Sequence, residues 1–305
     1  MRAGSIARAC LVLLGALTVA PDVARGQTSL TEDWRWVQFG VVDGLPSKIV
    51  RVVTRATDGT MWAGTDNGPA WFDGYRWQVV RTADGRVLGG DRAARLVAGA
   101  QGTVVFSVGE HIYRVAAAGA AAELLPPHPG LLFGGDFAVS GDDVWRIYGR
   151  DDQRRVSRLS GGSWHDESWP AATPATGWAT KLFVAADSGL VLTVGGRLWV
   201  RSATGWQPGT TFTAERGAIT HLLRAANGEE RVVVQSPDSQ QGVWALGPST
   251  GQAGWTRFTE FGFEAPVAFD LGPDGSAAAM LAAGDLLYYD TGGWRRLPAP
   301  RSLAT

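Results

Sequence analysis

An all-β fold assembled from repeated four-stranded meanders is predicted by three observations. Short apolar runs punctuated by Asp-Gly, Asn-Gly and Gly-Gly turn signals fill most of the chain. Tryptophan and glycine are abundant, with 14 Trp and 41 Gly among 305 residues, as expected where aromatic side chains fill the space between sheets joined by tight turns. Finally, a tryptophan closes each unit: Trp36, Trp77, Trp164, Trp206, Trp255 and Trp294 follow one another at intervals of 41, 87, 42, 49 and 39 residues. The interval of 87 is a doubled one whose marker is missing near Ala120-Ala121-Ala122. Four strands in roughly forty residues is the pattern of a β-propeller blade. A lone four-stranded sheet buries neither face, whereas sheets stacked around an axis bury both.

The chain opens with a segment read as a signal peptide, residues 1–26. Arg2 and Arg8 are basic, Ala9 to Ala20 is a 12-residue apolar stretch, and Ala24-Arg25-Gly26 fits a small-x-small cleavage site. Twelve residues are too few to span a bilayer. Residues 27–305 are then expected to form one propeller domain, located in the periplasm or secreted. The first unit is the clearest. It runs from Asp43-Gly44-Leu45-Pro46 into the strand Ile49–Val53, then through Asp58-Gly59 into Met61–Thr65, and through Asp66-Asn67-Gly68 into Ala70–Phe72, before Arg76–Val80 closes it. Later copies place Val104–Phe106 before His111–Arg114, and Asp143–Trp145 before Val156–Leu159 and Trp164. Leu190–Leu192 precedes Leu198–Val200 and Trp206, Asn227-Gly228 precedes Val243–Ala245 and Trp255, and Asp274-Gly275 precedes Leu286–Tyr289 and Trp294. Six units are complete. An additional outer strand expected at Trp34-Arg35-Trp36-Val37-Gln38-Phe39 leaves room for a seventh, degenerate blade.

In residues 43–77, Asp-Gly-Leu-Pro-Ser, then Asp-Gly-Thr-Met-Trp-Ala-Gly-Thr-Asp-Asn-Gly, then Trp-Phe-Asp-Gly resembles the two-component regulator propeller repeat. The likeness is specific over about 35 residues, and no later unit keeps the Trp-x-Gly-Thr element. That resemblance implies an extracytoplasmic, non-enzymatic ligand-binding propeller of the kind that supplies the sensor of hybrid histidine kinases. No membrane helix or kinase segment follows within these residues, so the signal is expected to pass through a partner, such as a membrane kinase.

Composition excludes several other classes. The 28 basic and 29 acidic side chains leave a formal charge of -1, and removal of residues 1–26 makes it -3, so nothing favours nucleic acid as a partner. With 45% hydrophobic residues the chain is not disordered. Cys10 is the single cysteine and lies within the signal, which leaves the mature chain without a thiol. His111, His128, His165 and His221 have no metal-ligand spacing, and Asp142-Asp143 and Asp151-Asp152 lack the layout of a calcium loop. Neither a metal nor a cofactor is expected, and no catalytic residues are assigned.

One positional inference remains. In a four-stranded meander the turns between second and third strands all project to one face of the disc. Here those turns carry Asp66 and Asn67, Glu110 and His111, Arg150 and Asp151, Arg197, Asp238 and Gln240, and Asp285. These are the candidate ligand-binding residues for a small polar molecule, a saccharide among them, or for a protein partner. Two other functions remain open: a propeller lyase of the virginiamycin type, for which His111 is the one histidine base on that face, and a scaffold for envelope protein assembly.

Overall fold

The computed structural model describes residues 37–129, 136–149, 154–170, 180–184, 189–194 and 197–209, together with eight later strands. The signal segment and Trp36 lie outside these residues. The chain divides into Met1–Val37, of which Val37 alone is described, and a compact unit, Gln38–Thr305, that holds every sheet.

Six four-stranded antiparallel sheets follow one another in sequence, the organisation of a β-propeller. The first blade is β1 (Val50–Arg55), β2 (Met61–Thr65), β3 (Gly68–Phe72) and β4 (Trp77–Val79). The second is β5 (Ala93–Ala98), β6 (Val104–Val108), β7 (His111–Val115) and β8 (Glu123–Leu124). The third is β9 (Phe137–Ser140), β10 (Asp143–Tyr148), β11 (Arg155–Ser160) and β12 (Ser163–Glu167). The fourth is β13 (Thr180–Val184), β14 (Leu190–Val194), β15 (Arg197–Ser202) and β16 (Gly205–Pro208). The fifth is β17 (Ala218–Arg224), β18 (Glu230–Gln235), β19 (Gln241–Leu246) and β20 (Trp255–Glu260). The sixth is β21 (Pro266–Leu271), β22 (Ala277–Leu281), β23 (Leu286–Asp290) and β24 (Gly293–Leu297). The tryptophans at 77, 164, 206, 255 and 294 all fall on the fourth strand of a blade, and the blade without one has a fourth strand of two residues.

The additional strand expected at residues 34–39 is not formed over its described part. Gln38 and Phe39 run without strand pairing into a one-turn helix, Val41–Asp43, closed by the Gly40 amide donating to Asp43 Oδ2 at 2.7 Å. Phe39 instead lays its ring against Phe72 and Trp77, with centroids 5.1 and 6.1 Å away. It covers the outer edge of the first blade with an aromatic plug.

The core lies between blades, as strand alternation requires. Trp62, Leu96, Val104, Phe106, Tyr113 and Val115 fill the layer between the first and second blades. Val105, Ile112, Phe137, Val139, Val144 and Leu159 fill the next. Ala138, Trp145, Ile147, Val156, Leu182, Leu192 and Trp206 form the third. Successive residues of β10 thus serve opposite layers: Val144 faces the second blade, Trp145 the fourth. Residues of the motif in the first blade each have a packing role. Trp62 is fully buried, and Thr65 Oγ1 donates to the Gly68 carbonyl at 2.7 Å while accepting the Asn67 amide at 3.1 Å. Gly64 allows a close approach of the next blade, since a Cβ there would sit 2.5 Å from the Ala93 carbonyl oxygen and 2.6 Å from Leu96 Cδ1.

A clasp joins three of the first strands. Arg95 on β5 donates through Nη1 to Asp136 Oδ1 at 2.6 Å and through Nε to the Phe137 carbonyl at 2.9 Å. The other oxygen of Asp136 accepts the Leu182 amide of β13 at 2.9 Å.

Candidate functional site

The second-to-third-strand turns hold the expected residues at these places. Asp66 and Asn67 form the β2–β3 turn, and Glu110 and His111 stand at the β6–β7 turn. Arg197 begins β15, although its side chain lies outside the described residues. Arg150 and Asp151 fall between β10 and β11, Asp238 and Gln240 between β18 and β19, and Asp285 between β22 and β23; all five lie outside the described residues.

Asp66 is the centre of a charged cluster. Arg51 is the extra residue of a β-bulge in β1, where Val50 pairs with Thr65 and Val52 with Gly64. Freed from the ladder, its guanidinium forks onto Asp66, with Nε 2.6 Å from Oδ1 and Nη2 2.7 Å from Oδ2. Arg92 approaches the same Oδ1 at 3.6 Å. The hydrogen bonds from Arg51, and after them the charges of Arg51 and Arg92, hold Asp66 below the usual carboxylate range against the opposing effect of burial. A carboxylate kept ionised in this way is an anchor and not a proton donor.

Asn67 has a structural role. Its side-chain oxygen accepts the Gly90 amide at 2.7 Å and its nitrogen donates to the Pro46 carbonyl at 3.2 Å, which ties the turn to the chain on both sides. This leaves the carboxamide oxygen and one amide hydrogen occupied by backbone.

Between the first two blades an open pocket of about 450 Å³ is lined by Asp66, Gly90, Asp91, Arg92, Ala94 and Gly109. Ala94 is the bulge residue of β5, in the same place as Arg51 in β1. Gly109 has φ +57°, and a Cβ there would collide with the Asp91 carboxylate, so this glycine admits the acid to the pocket wall.

Glu110 and His111 turn to different sides. His111 is exposed and meets Tyr113, of the layer between the first and second blades, edge-on at 6.4 Å. The charge of Glu110 acts instead on Arg146 of the third blade. Arg146 lies on β10 opposite Phe137 and Ser157, on the same side as Val144 and hence toward the second blade. It is only 8% exposed, its Nε is buried without an acceptor, and burial pushes its pKa down from the ordinary arginine value. Beside it, Ser157 Oγ and His128 Nε2 are 2.7 Å apart, but Ser157 is 0% exposed, which shuts this hydroxyl away from any substrate.

Tyr148, two residues along β10, donates its hydroxyl to Asp166 Oδ1 at 2.8 Å. Burial first, and then the hydrogen bond to Asp166 and its charge, push the phenol up to about 12. The folded state thus prefers the protonated phenol. This contribution to stability is complete below the ordinary tyrosine value of about 10 and is lost as pH rises toward about 12. Ultraviolet titration should show one late-ionising tyrosine that moves down in Asp166→Asn; an unmoved titration curve would show that Asp166 does not hold it.

Sequence reasoning missed Arg51, Asp91, Arg92 and Arg146. Arg51 is marked only by a bulge, and Arg146 reads in sequence as one polar residue in an apolar strand, Val144-Trp145-Arg146-Ile147. Among the described residues no group of three His, Cys, Asp or Glu side chains is placed to hold a metal, and no helix is long and apolar enough to cross a membrane.

No family model matches the sequence, and no curated protein does. Solved structures do resemble the fold. A Streptogramin B lyase is 14% identical with a TM-score of 0.61, over 86% of this chain and 86% of that one. The extracellular domain of a protein described as the hybrid two-component system BT3049 of B. thetaiotaomicron is 12% identical with a TM-score of 0.60, over 88% of this chain and 37% of that one. YCF48 bound to D1 peptide is 13% identical with a TM-score of 0.56, over 81% of this chain and 80% of that one. Similarity at this identity concerns the fold: an all-β chain of four-stranded antiparallel blades, shared with extracellular domains of two-component system proteins and with a lyase.

Proposed function

We propose that the protein is a non-enzymatic, extracytoplasmic ligand-binding propeller that passes its signal to a partner, such as a membrane kinase, and that it takes a small polar ligand on the face carrying the second-to-third-strand turns. The observation that carries this reading is the open pocket of about 450 Å³ walled by Asp66, Asp91 and Arg92 at the junction of two such turns. A concave site with a few fixed charges suits a small polar molecule. Asp66, already committed to Arg51 and Arg92, offers orientation and not acid–base chemistry. The similarity to extracellular domains of two-component proteins supports the sensor role.

Titration calorimetry of the full chain with neutral and acidic sugars and with amino acids tests the reading. At least one should bind saturably, and Arg92→Ala should weaken it about tenfold, the loss of one charge-assisted contact of roughly 1.4 kcal/mol. The unliganded thermal midpoint should stay the same, because the Arg92 side chain is 60% exposed. Turnover of a streptogramin B by the wild type, lost in His111→Ala, would replace this reading with the lyase one.

A further inference from the structure

We infer that Arg146, which faces the second blade from β10, is the anchor of a carboxylate-binding subsite, so that the ligand of this face is a carboxylate-bearing small molecule. The inference rests on the ligand-binding reading above and names the chemistry of the ligand.

A buried guanidinium is normally compensated by an acid or by carbonyl oxygens, since taking an unpaired charge out of water is costly. The other partly buried arginines of these blades follow that rule. Arg95 has Asp136, and Arg201 has Glu167 at 2.7 Å. Arg158 is within 3.5 Å of Asp143 and 3.6 Å of Glu167. Arg146 is more buried than any of them, at 8% exposure, yet among the described residues its side chain has no hydrogen-bond or ion-pair partner, and its Nε is buried without an acceptor. The neighbouring acid, Glu110, acts on it through its charge without coming into contact.

The placement is that of a binding group. Arg146 leaves β10 toward the second blade, two residues before the strand ends at Tyr148, on the side of the disc where the Gly109–Glu110 turn stands. That turn also contributes Gly109 to the open pocket.

The charge balance selects the ligand. One unpaired guanidinium offers a planar fork of donors that matches a carboxylate in two parallel hydrogen bonds. A phosphate dianion would bring a second negative charge toward Glu110. A neutral sugar would leave the buried cation uncompensated.

The test uses the full chain in carboxylate-free buffer at fixed ionic strength, with D-galacturonate, acetate, D-galactose and phosphate as probes in thermal unfolding. Galacturonate and acetate should raise the midpoint saturably, by about 2 °C or more, while galactose and phosphate should not. In Arg146→Met the carboxylate effect should vanish. The unliganded midpoint of that variant should be unchanged or higher, because a methionine of similar length removes a buried guanidinium that has no hydrogen-bond or ion-pair partner among the described residues. Arg146→Lys should keep a weaker response, having lost the fork.

A fall in the unliganded midpoint of Arg146→Met would show the guanidinium to be part of the framework and would overturn the inference, as would a carboxylate response that survives in this variant. Stabilisation by galactose without any response to the carboxylates would sink the inference and leave the ligand-binding reading standing. Silence of every probe here, together with silence in calorimetry, would remove both.

Discussion

Trp62→Ala is expected to destabilise the protein by about 3–5 kcal/mol, the cost of emptying a large aromatic site in a closed core. Trp62 is fully buried, paired across strands with Trp71, and packed in the layer with Leu96, Phe106 and Tyr113 of the next blade. Gly64 packs directly against Ala93 and Leu96 of the next blade, so the two sheets are already in contact beside the space that alanine would leave. Trp62→Phe separates shape from polarity. The Trp62 indole N–H is buried without an acceptor, so phenylalanine loses part of the packing but also removes an unsatisfied donor. Its cost should be well under half that of alanine. Chemical denaturation of the three proteins checks this, and an alanine variant within about 1 kcal/mol of wild type would show that the first two blades do not depend on this layer.

Asp136→Ala is expected to cost about 2–4 kcal/mol, because one carboxylate serves two blades in addition to its own. Its removal leaves Arg95 without its ion pair and the Leu182 amide without an acceptor. The estimate lies below that for a fully buried pair because the Arg95 side chain is 31% exposed and water recovers part of the loss. Asp136→Asn should be milder, since an amide oxygen can still accept from Leu182. Hydrogen exchange gives the sharper readout: protection should fall first at Leu182 and along β13, ahead of β1 and β2. Equal loss of protection in all blades would mean that the clasp contributes only to global stability.

Turn chemistry and strand alternation make the fold legible in the sequence. Asp58-Gly59 is a turn because the Asp58 carboxylate accepts the Thr60 amide at 2.9 Å while Ala56 bonds to Thr60, all within five residues. Closing tryptophans fall on fourth strands because the same position recurs in each meander, and a repeated local requirement leaves a repeated residue. Over residues 37–39, the described part of the strand expected at 34–39, no strand forms, and Phe39 packs onto Phe72 and Trp77, a contact that no local signal carries.

The site was half legible for the same reason. Which turns share a face follows from the meander, and Asp66 lies there as expected. Whether a polar turn residue is free or occupied depends on the neighbouring blade. Asn67 is occupied by Pro46 and Gly90, while Arg51 is drawn to Asp66 by a bulge. Arg146 illustrates the limit most clearly. Its place on β10 and the side it faces follow from period-two alternation, but its lack of a partner is a property of what the second blade puts opposite it. The amino-acid sequence specified strands, turns and their order through interactions spanning a few residues. The pairing or isolation of each charge arose between residues dozens of positions apart, where the distance and angle between stacked blades set the energy.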